Sequence, residues 1–338
     1  GFALCSGLLL VLAQRGTHAV RPIYVVLILL GVVRSFNGTA SRSILPQLVP
    51  EEHFPNAVAW NATTFQAATI LGPSLGGILY AAFHGPSAVY AAAMLTAVGA
   101  LVSTFRIKAR QQARKREPMT MRTVFAGLHF IWREKLILGA ISLDLFAVLL
   151  GGAVALLPVY ARDILHTGPW GLGLLRTAPG VGAAITAVAL AHRPLRGRAG
   201  PTLLWSVAGF GVLTILFGVS HSIVLSLVAL VLLGATDMVS VIIRATLVQL
   251  RTPDEMRGRV MAVDMVFIGT SNELGQFESG LTAQWFGTVP AVVLGGVGTL
   301  VVIGLWSWMF PELRRTGALN ATNTGVQQAA SEAEEEMR

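Results

Sequence analysis

The sequence predicts an all-α polytopic membrane protein, and three observations support this class. Of 338 residues, 54% are hydrophobic and only 12% are charged, whereas a soluble protein is about a quarter charged. The apolar residues form ten long blocks, and the basic residues cluster between those blocks. The blocks suit helices, because a helix needs about 20 residues to cross the hydrocarbon layer and a barrel strand only about ten.

The ten apolar segments follow one another along the chain. They span roughly 1–13, 23–46, 57–83, 87–105, 136–160, 170–191, 201–219, 222–243, 260–285 and 289–310. Short connectors such as 84–86 and 287–289 predict antiparallel helical hairpins. The first segment opens at Gly1, with no start methionine and no signal-peptide pattern. We therefore expect a chain truncated at its N-terminus.

The basic residues predict the orientation of these helices. If the second segment ends inside, 20 of the 25 Lys and Arg residues lie in inner connectors and three in outer ones. Lys and Arg concentrate in the cytoplasmic connectors of membrane proteins, so the bias predicts a cytoplasmic C-terminus. The same bias explains the net charge of +8 without a nucleic acid partner.

The longest connector, 106–135, is basic and contains an amphipathic stretch. Apolar residues recur on one helical face: Met121, Val124, Phe125, Leu128, Ile131 and Trp132. We expect this helix to lie on the inner membrane surface, with partner binding as the alternative. The polar tail 316–338 is expected to be disordered.

An internal repeat relates the two halves. Residues 42–48 (RSILPQL) match residues 244–250 (RATLVQL), and both copies run toward the same side. Parallel repeats of six helices describe the major facilitator fold. The repeat predicts an N-terminal half at 1–105, a linker at 106–135, a C-terminal half at 136–315 and a tail at 316–338. About ten of twelve transmembrane helices are then present.

On these residues the chain resembles the major facilitator superfamily, and within it bacterial exporters of the enterobactin-exporter or transmembrane secretion effector type. The stretches that carry the resemblance are 41–50, 157–163, 251–260, 269–275 and 310–315. The resemblance implies a monomeric transporter of the bacterial plasma membrane. It implies no enzymatic activity and no cofactor, with the proton gradient as the source of energy.

Four residues match the GPxxGG core of the motif linked to antiporters in this superfamily: Gly72, Pro73, Gly76 and Gly77. Ala59 and Ala68 stand where the full motif has glycines. Small residues also let helices approach closely, and a proline bends its helix. Helix packing alone is therefore the alternative interpretation.

Charges inside the membrane are the candidate transport residues, because a charge near the bilayer centre costs several kcal/mol unless it faces a cavity or a partner. Arg34 and Asp237 lie at repeat-related positions. The resemblance places both of them, and Asp144, on helices that line the central cavity. Glu273 lies near mid-membrane on the ninth segment. These four are predicted to contact substrate or couple protons, and a static ion pair is the alternative.

Helical spacing sorts the other charges of the ninth segment. Asp264 and Glu278 share one stripe, while Glu273 lies about 180° from Asp264. We expect Glu278 to form a structural ion pair with Arg176. Asp264 and Arg244 are expected to snorkel or pair near the inner surface.

The sequence as a whole predicts a secondary transporter, coupled to protons, that exports a small organic molecule such as a drug, siderophore or secondary metabolite. The alternatives are uptake or facilitated diffusion and, from another class, a membrane scaffold subunit. Cys5 is the only cysteine, and none of the seven histidines falls mid-membrane. No metal site is therefore expected.

Overall fold

The computed structural model describes residues 1–15, 20–48, 54–106, 121–192 and 198–317. Its longer helices are α1 (Phe2–Gln14), α2 (Val20–Leu48), α3 (Phe54–Ala82), α4 (Ser87–Phe105), α5 (Met121–Arg133), α6 (Lys135–Gly151), α8 (Gly168–His192), α9 (Ala199–Val219), α10 (Ile223–Arg251), α11 (Asp254–Phe286) and α12 (Thr288–Met309). Two short helices, α7 (Leu157–Val159) and α13 (Pro311–Arg315), complete the described part, which has no β-strand. All ten predicted segments are helical, so the all-α class is confirmed.

Six helical stretches of the described part are long and apolar enough to cross a membrane, one of which combines α6 with the irregular segment that follows it. They are Ser87–Phe105, Lys135–Ile164, Gly168–His192, Ala199–Val219, Ile223–Arg251 and Thr288–Met309. Large apolar side chains cover their outer faces; Trp205 on α9 is 77% exposed and Trp308 on α12 is 78% exposed. Water disfavours a surface of this kind, whereas lipid tails accept it.

The chain forms two compact units. The first comprises Gly1–Glu117 with Pro169–Leu174, and the second comprises Pro118–Gly168 with Leu175–Arg338. In the first unit α1 packs on α2 and α4, and in the second α9 packs on α10 and α12. The predicted domain bounds stay predictions, and linker residues 107–120 and tail residues 318–338 lie outside the described part.

The second unit has a core in which several helices approach closely. Leu143 of α6, Ile243 of α10 and Trp306 of α12 are buried in one cluster. Gly234 of α10 lies so close to α8 that an added Cβ would come within 1.9 Å of the carbonyl oxygen of Pro179. Such crossings need a residue without a side chain.

Helix α6 breaks at Gly152, and an irregular helical segment follows it. This segment consists of a 3-10 turn (Ala153–Leu156), α7 and a π-helical turn (Tyr160–Ile164). Two long-range hydrogen bonds hold the break, since Ser279 Oγ donates to the carbonyl of Gly152 at 3.0 Å and Tyr160 Oη donates to the carbonyl of Gly218 at 2.7 Å. Partners of this kind satisfy the backbone groups that a broken membrane helix frees.

Helix α10 continues beyond the predicted end of its segment at 243 and reaches Arg251. Hydropathy alone predicts an end at 243, just before Arg244, because a charged residue is unfavourable in lipid. The side chain of Arg244 is nevertheless buried and ion-paired. The charge therefore lies inside the protein, and the helix continues through it.

Helix α5 packs against the protein instead of lying wholly on the membrane surface. Ile131 is fully buried in a cluster with Ile137 and Val260, which belong to α6 and α11. Phe125 and Trp132 remain 60% and 66% exposed. The amphipathic pattern located the helix correctly, but part of its apolar face serves the core because α11 covers it.

Candidate functional site

Arg244 lies at the centre of a buried ion-pair cluster formed by three helices. Its Nη2 is 3.1 Å from Asp144 Oδ2 on α6, and its Nη1 donates a hydrogen bond of 3.0 Å to Asp264 Oδ1 on α11. The three side chains are 5%, 10% and 9% exposed, respectively. The expected pairing of Arg244 with Asp264 is present, and Asp144 is a second partner that the sequence did not indicate.

A recess next to this cluster brings two of the four candidate transport residues together. It is a small, partly open recess between α6, α9 and α10, and Asp144 and Asp237 both line it. Ser206 and Ser240 add hydroxyl groups to its wall. The remaining lining residues are apolar or aromatic: Ala147, Val148, Val207 and Phe210.

Asp237 and Ser240 are the polar groups of this recess whose hydrogen-bonding capacity is unused. Among the described residues, the Asp237 carboxylate has neither a hydrogen bond nor an ion pair. Ser240 is 2% exposed, and its hydroxyl has no hydrogen-bond partner there. Asp237 is half-buried, whereas Ser240 is fully buried, and a buried polar group without a partner calls for an explanation such as a functional role. The recess is therefore the strongest candidate site of the second unit.

The other two candidate transport residues lie elsewhere. Arg34 is exposed on α2 within the first unit. Glu273 is exposed on α11, whereas Asp264 of the same helix is buried, as their spacing predicts. Both Arg34 and Glu273 make interactions with other residues. The structure thus brings together Asp144 and Asp237 only.

The expected ion pair between Arg176 and Glu278 does not form among the described residues. Glu278 Oε1 instead accepts a hydrogen bond of 2.7 Å from Thr282 Oγ1, one turn along α11. Arg176 is exposed on α8. Equal depth along two helices suggested the pair, but depth does not fix the direction in which each side chain points.

The GPxxGG stretch forms a close helix contact inside the first unit. A Cβ on Gly77 would come within 3.1 Å of the Cα of Gly173, and a Cβ on Gly173 within 2.9 Å of the carbonyl oxygen of Pro73. Gly72 faces open space, and Gly76 has only one ordinary neighbour, at 3.9 Å. Close packing is sufficient to explain why position 77 is a glycine. The link to antiport stays a prediction.

The sequence contains a signal for an internal polar site on α10, although not for the partner of Arg244 on α6. Asp237, Ser240 and Arg244 follow one another at steps of three and four, which places them on one face of α10. Three polar residues on one face of an otherwise apolar helix indicate an internal polar site. The identity of the partner on α6 depends on tertiary packing, which helical periodicity does not encode.

Membrane-crossing helices around buried charges and a small polar recess define a polytopic membrane transporter. The family model described as the Major Facilitator Superfamily matches residues 1–275. The chain therefore belongs to this superfamily, whose members are transporters of small molecules and not enzymes.

Individual relatives agree with this assignment. The chain is 26% identical to the enterobactin exporter EntS of Shigella boydii serotype 18 over 285 residues, which cover 84% of this chain and 68% of that protein. The same values hold for EntS of Escherichia coli O139:H28.

Two solved structures share the fold. A crystal structure of the nucleoside transporter NupG matches with a TM-score of 0.61 at 13% identity, covering 91% of this chain and 82% of the other. The D-xylose-proton symporter matches with a TM-score of 0.63 at 15% identity, covering 91% and 78%. The predicted major facilitator fold is thus confirmed, and the chain is a multi-pass membrane protein.

Proposed function

We propose that this chain is a secondary active exporter of a small organic molecule, driven by the proton gradient through alternating access. The substrate class is a siderophore, drug or secondary metabolite, in line with the relatives named as enterobactin exporters. The proposal includes a bacterial plasma membrane location, a cytoplasmic C-terminus, a monomeric state and no cofactor.

One observation carries the coupling part of this proposal. Asp237 has no hydrogen bond or ion pair among the described residues, and it shares a recess with Asp144, which already pairs with Arg244. A carboxylate without a hydrogen bond or ion pair of its own is available to bind and release a proton. Loading and release of a proton at Asp237 would then bias the protein toward one of its two open states.

The remaining candidate residues keep subordinate roles. Arg34 and Glu273 are proposed to contact the substrate or to assist in proton transfer, on the basis of their positions in the sequence. The stretch of Gly72, Pro73, Gly76 and Gly77 is proposed to restrict the protein to exchange of substrate for proton, through the close contact that Pro73 and Gly77 make with Gly173.

Transport into everted bacterial membrane vesicles tests the proposed direction and energy source. Export appears there as accumulation in the lumen, because the cytoplasmic face is outside. Labelled enterobactin and fluorescent dyes such as ethidium serve as probes. We expect respiration to drive accumulation of at least one probe, and an uncoupler to abolish it.

Three results would favour the alternatives. Accumulation only in right-side-out vesicles would establish uptake, and equilibration that ignores the uncoupler would establish facilitated diffusion. Absence of transport for every probe, with the protein present and folded in the vesicles, would support the scaffold interpretation.

A further inference from the structure

Helix α5 has an exposed aromatic face next to the point where the chain enters the membrane. Phe125, His129 and Trp132 follow one another at steps of four and three, which places them on one face of the helix. Phe125 and Trp132 are both more than half exposed. Glu134 alone separates α5 from the membrane-crossing stretch Lys135–Ile164. Trp132 therefore lies within one helical turn of the membrane boundary.

Packing on the protein fixes the direction of this face. Ile131, on another face of α5, is fully buried in a cluster with Val260 of α11. Gly127 lies so close to α11 that an added Cβ would come within 2.8 Å of the carbonyl oxygen of Arg259. Because α11 covers that face, the face of Phe125 and Trp132 points away from the protein core.

Two basic side chains border the aromatic face at the C-terminal end of α5. Arg133 and Lys135 are both exposed, and neither makes an ion pair among the described residues. Glu134, the acidic residue between them, is half-buried. The exposed charges at this end of the helix are therefore both positive and available to an anion.

This surface suits a lipid better than a protein partner. Two aromatic side chains bury only about 150–250 Å² each, whereas a stable protein interface covers about 800 Å² on each partner. Aromatic rings concentrate at the headgroup level of a bilayer, and Lys and Arg side chains extend from apolar surroundings toward the charged headgroups. An anionic phospholipid of the adjoining leaflet matches both the aromatic and the basic part of the surface.

We propose that the exposed face of α5 is a binding surface for anionic phospholipids. Phe125 and Trp132 lie in the interfacial layer of the bilayer, and Arg133 and Lys135 bind the lipid phosphate groups. The ligand is a phospholipid with a net negative charge, such as phosphatidylglycerol, in the leaflet that α6 enters. This binding goes beyond the proposed export activity and does not depend on it, since it involves neither Asp144 nor Asp237.

Quenching of a fluorophore on α5 tests the proposal with the full chain in phosphatidylcholine nanodiscs. Cys5 is the only cysteine and is buried, so Cys5→Ala leaves His129→Cys as the single site for a bimane label on the aromatic face. Nitroxide-labelled phosphatidylglycerol or phosphatidylcholine is added as a minor component. We expect the phosphatidylglycerol quencher to be enriched around the label by roughly fivefold or more, the attraction that one or two basic residues provide.

Matched labels and variants locate the effect. His221→Cys in the same background places the label in the exposed connector between α9 and α10, at the opposite end of these helices, where the two quenchers should act alike. Arg133→Gln combined with Lys135→Gln should remove most of the enrichment at position 129. Arg198→Gln combined with Arg315→Gln also removes two exposed positive charges, but on other elements, and should preserve it.

Salt provides a test that needs no charge substitution. Raising NaCl from about 0.1 M to about 1 M shortens the Debye length from about 10 Å to about 3 Å, so the enrichment should fall toward one. Equal quenching by the two lipids at position 129, or an enrichment that neither salt nor the double substitution of Arg133 and Lys135 lowers, would overturn the inference. Loss of the enrichment on addition of soluble glycerol 3-phosphate would assign these residues to a free phosphate compound and would overturn it as well.

Discussion

Arg244 of α10 bonds Asp144 of α6 at 3.1 Å in the interior of the second unit. The guanidinium also bonds Asp264 of α11, so one cation joins three helices. Breaking a buried pair by removing one partner is strongly destabilising, since the other charge is left without compensation. The cluster is therefore a structural connection, and through Asp144 it also contributes to the wall of the recess that contains Asp237.

Arg244→Gln tests this structural connection. We expect it to lower the free energy of unfolding by roughly 3–5 kcal/mol, because two buried carboxylates lose their partner. Thermal unfolding in detergent, followed by tryptophan fluorescence, measures the change. Arg162→Gln is the control, since Arg162 pairs with Asp163 at an exposed position and its loss should leave the midpoint unchanged. An Arg244→Gln midpoint equal to that of the wild type would refute the connection.

Ile131→Ala tests the packing of α5. Ile131 is fully buried, and removing a buried Ile side chain typically costs about 2–5 kcal/mol. Phe125→Ala, on the same helix but 60% exposed, should change unfolding much less. Equal effects of the two substitutions on the thermal midpoint would indicate that α5 lies on the membrane surface after all.

Gly234→Ala tests the close approach of α8 and α10. The new Cβ would overlap the carbonyl oxygen of Pro179, so the helices must separate, at a cost of about 1–3 kcal/mol or more. Gly304→Ala on α12 is the matched control, because nothing lies within 4 Å of its added Cβ. If both variants unfold at the wild-type temperature, α8 and α10 do not approach each other as closely at Gly234 as the 1.9 Å distance requires.

Gly77→Ala separates packing from coupling in the GPxxGG stretch. Its Cβ would press on the backbone of Gly173, whereas the Cβ of Gly72→Ala would meet open space. If packing determines the role of the motif, Gly77→Ala should reduce vesicle transport and Gly72→Ala should preserve it. Loss of transport in both variants would contradict the packing explanation.

Much of the fold follows from the sequence, because the pattern that specifies a membrane helix lies within that helix. Apolar length located all ten helices, and helical spacing put Asp264 and Glu273 on different faces. The pairing of Asp144 with Arg244 depends on how separate helices rotate against each other, which spacing along one helix does not specify. The same limit explains why the expected pair of Arg176 with Glu278 does not form among the described residues. Spacing predicts a similar depth for the two residues in the membrane, but it does not predict the direction of either side chain.

The central claim is that Asp237 couples substrate movement to the proton gradient, and Asp237→Asn tests it most directly. The variant and the wild type are compared in everted vesicles for accumulation driven by a pH gradient and for exchange of labelled against unlabelled substrate without a gradient. We expect Asp237→Asn to lose gradient-driven accumulation by roughly tenfold or more, as when a dedicated proton-transfer group is removed, while exchange persists. Gradient-driven accumulation at the wild-type level in Asp237→Asn would contradict the account.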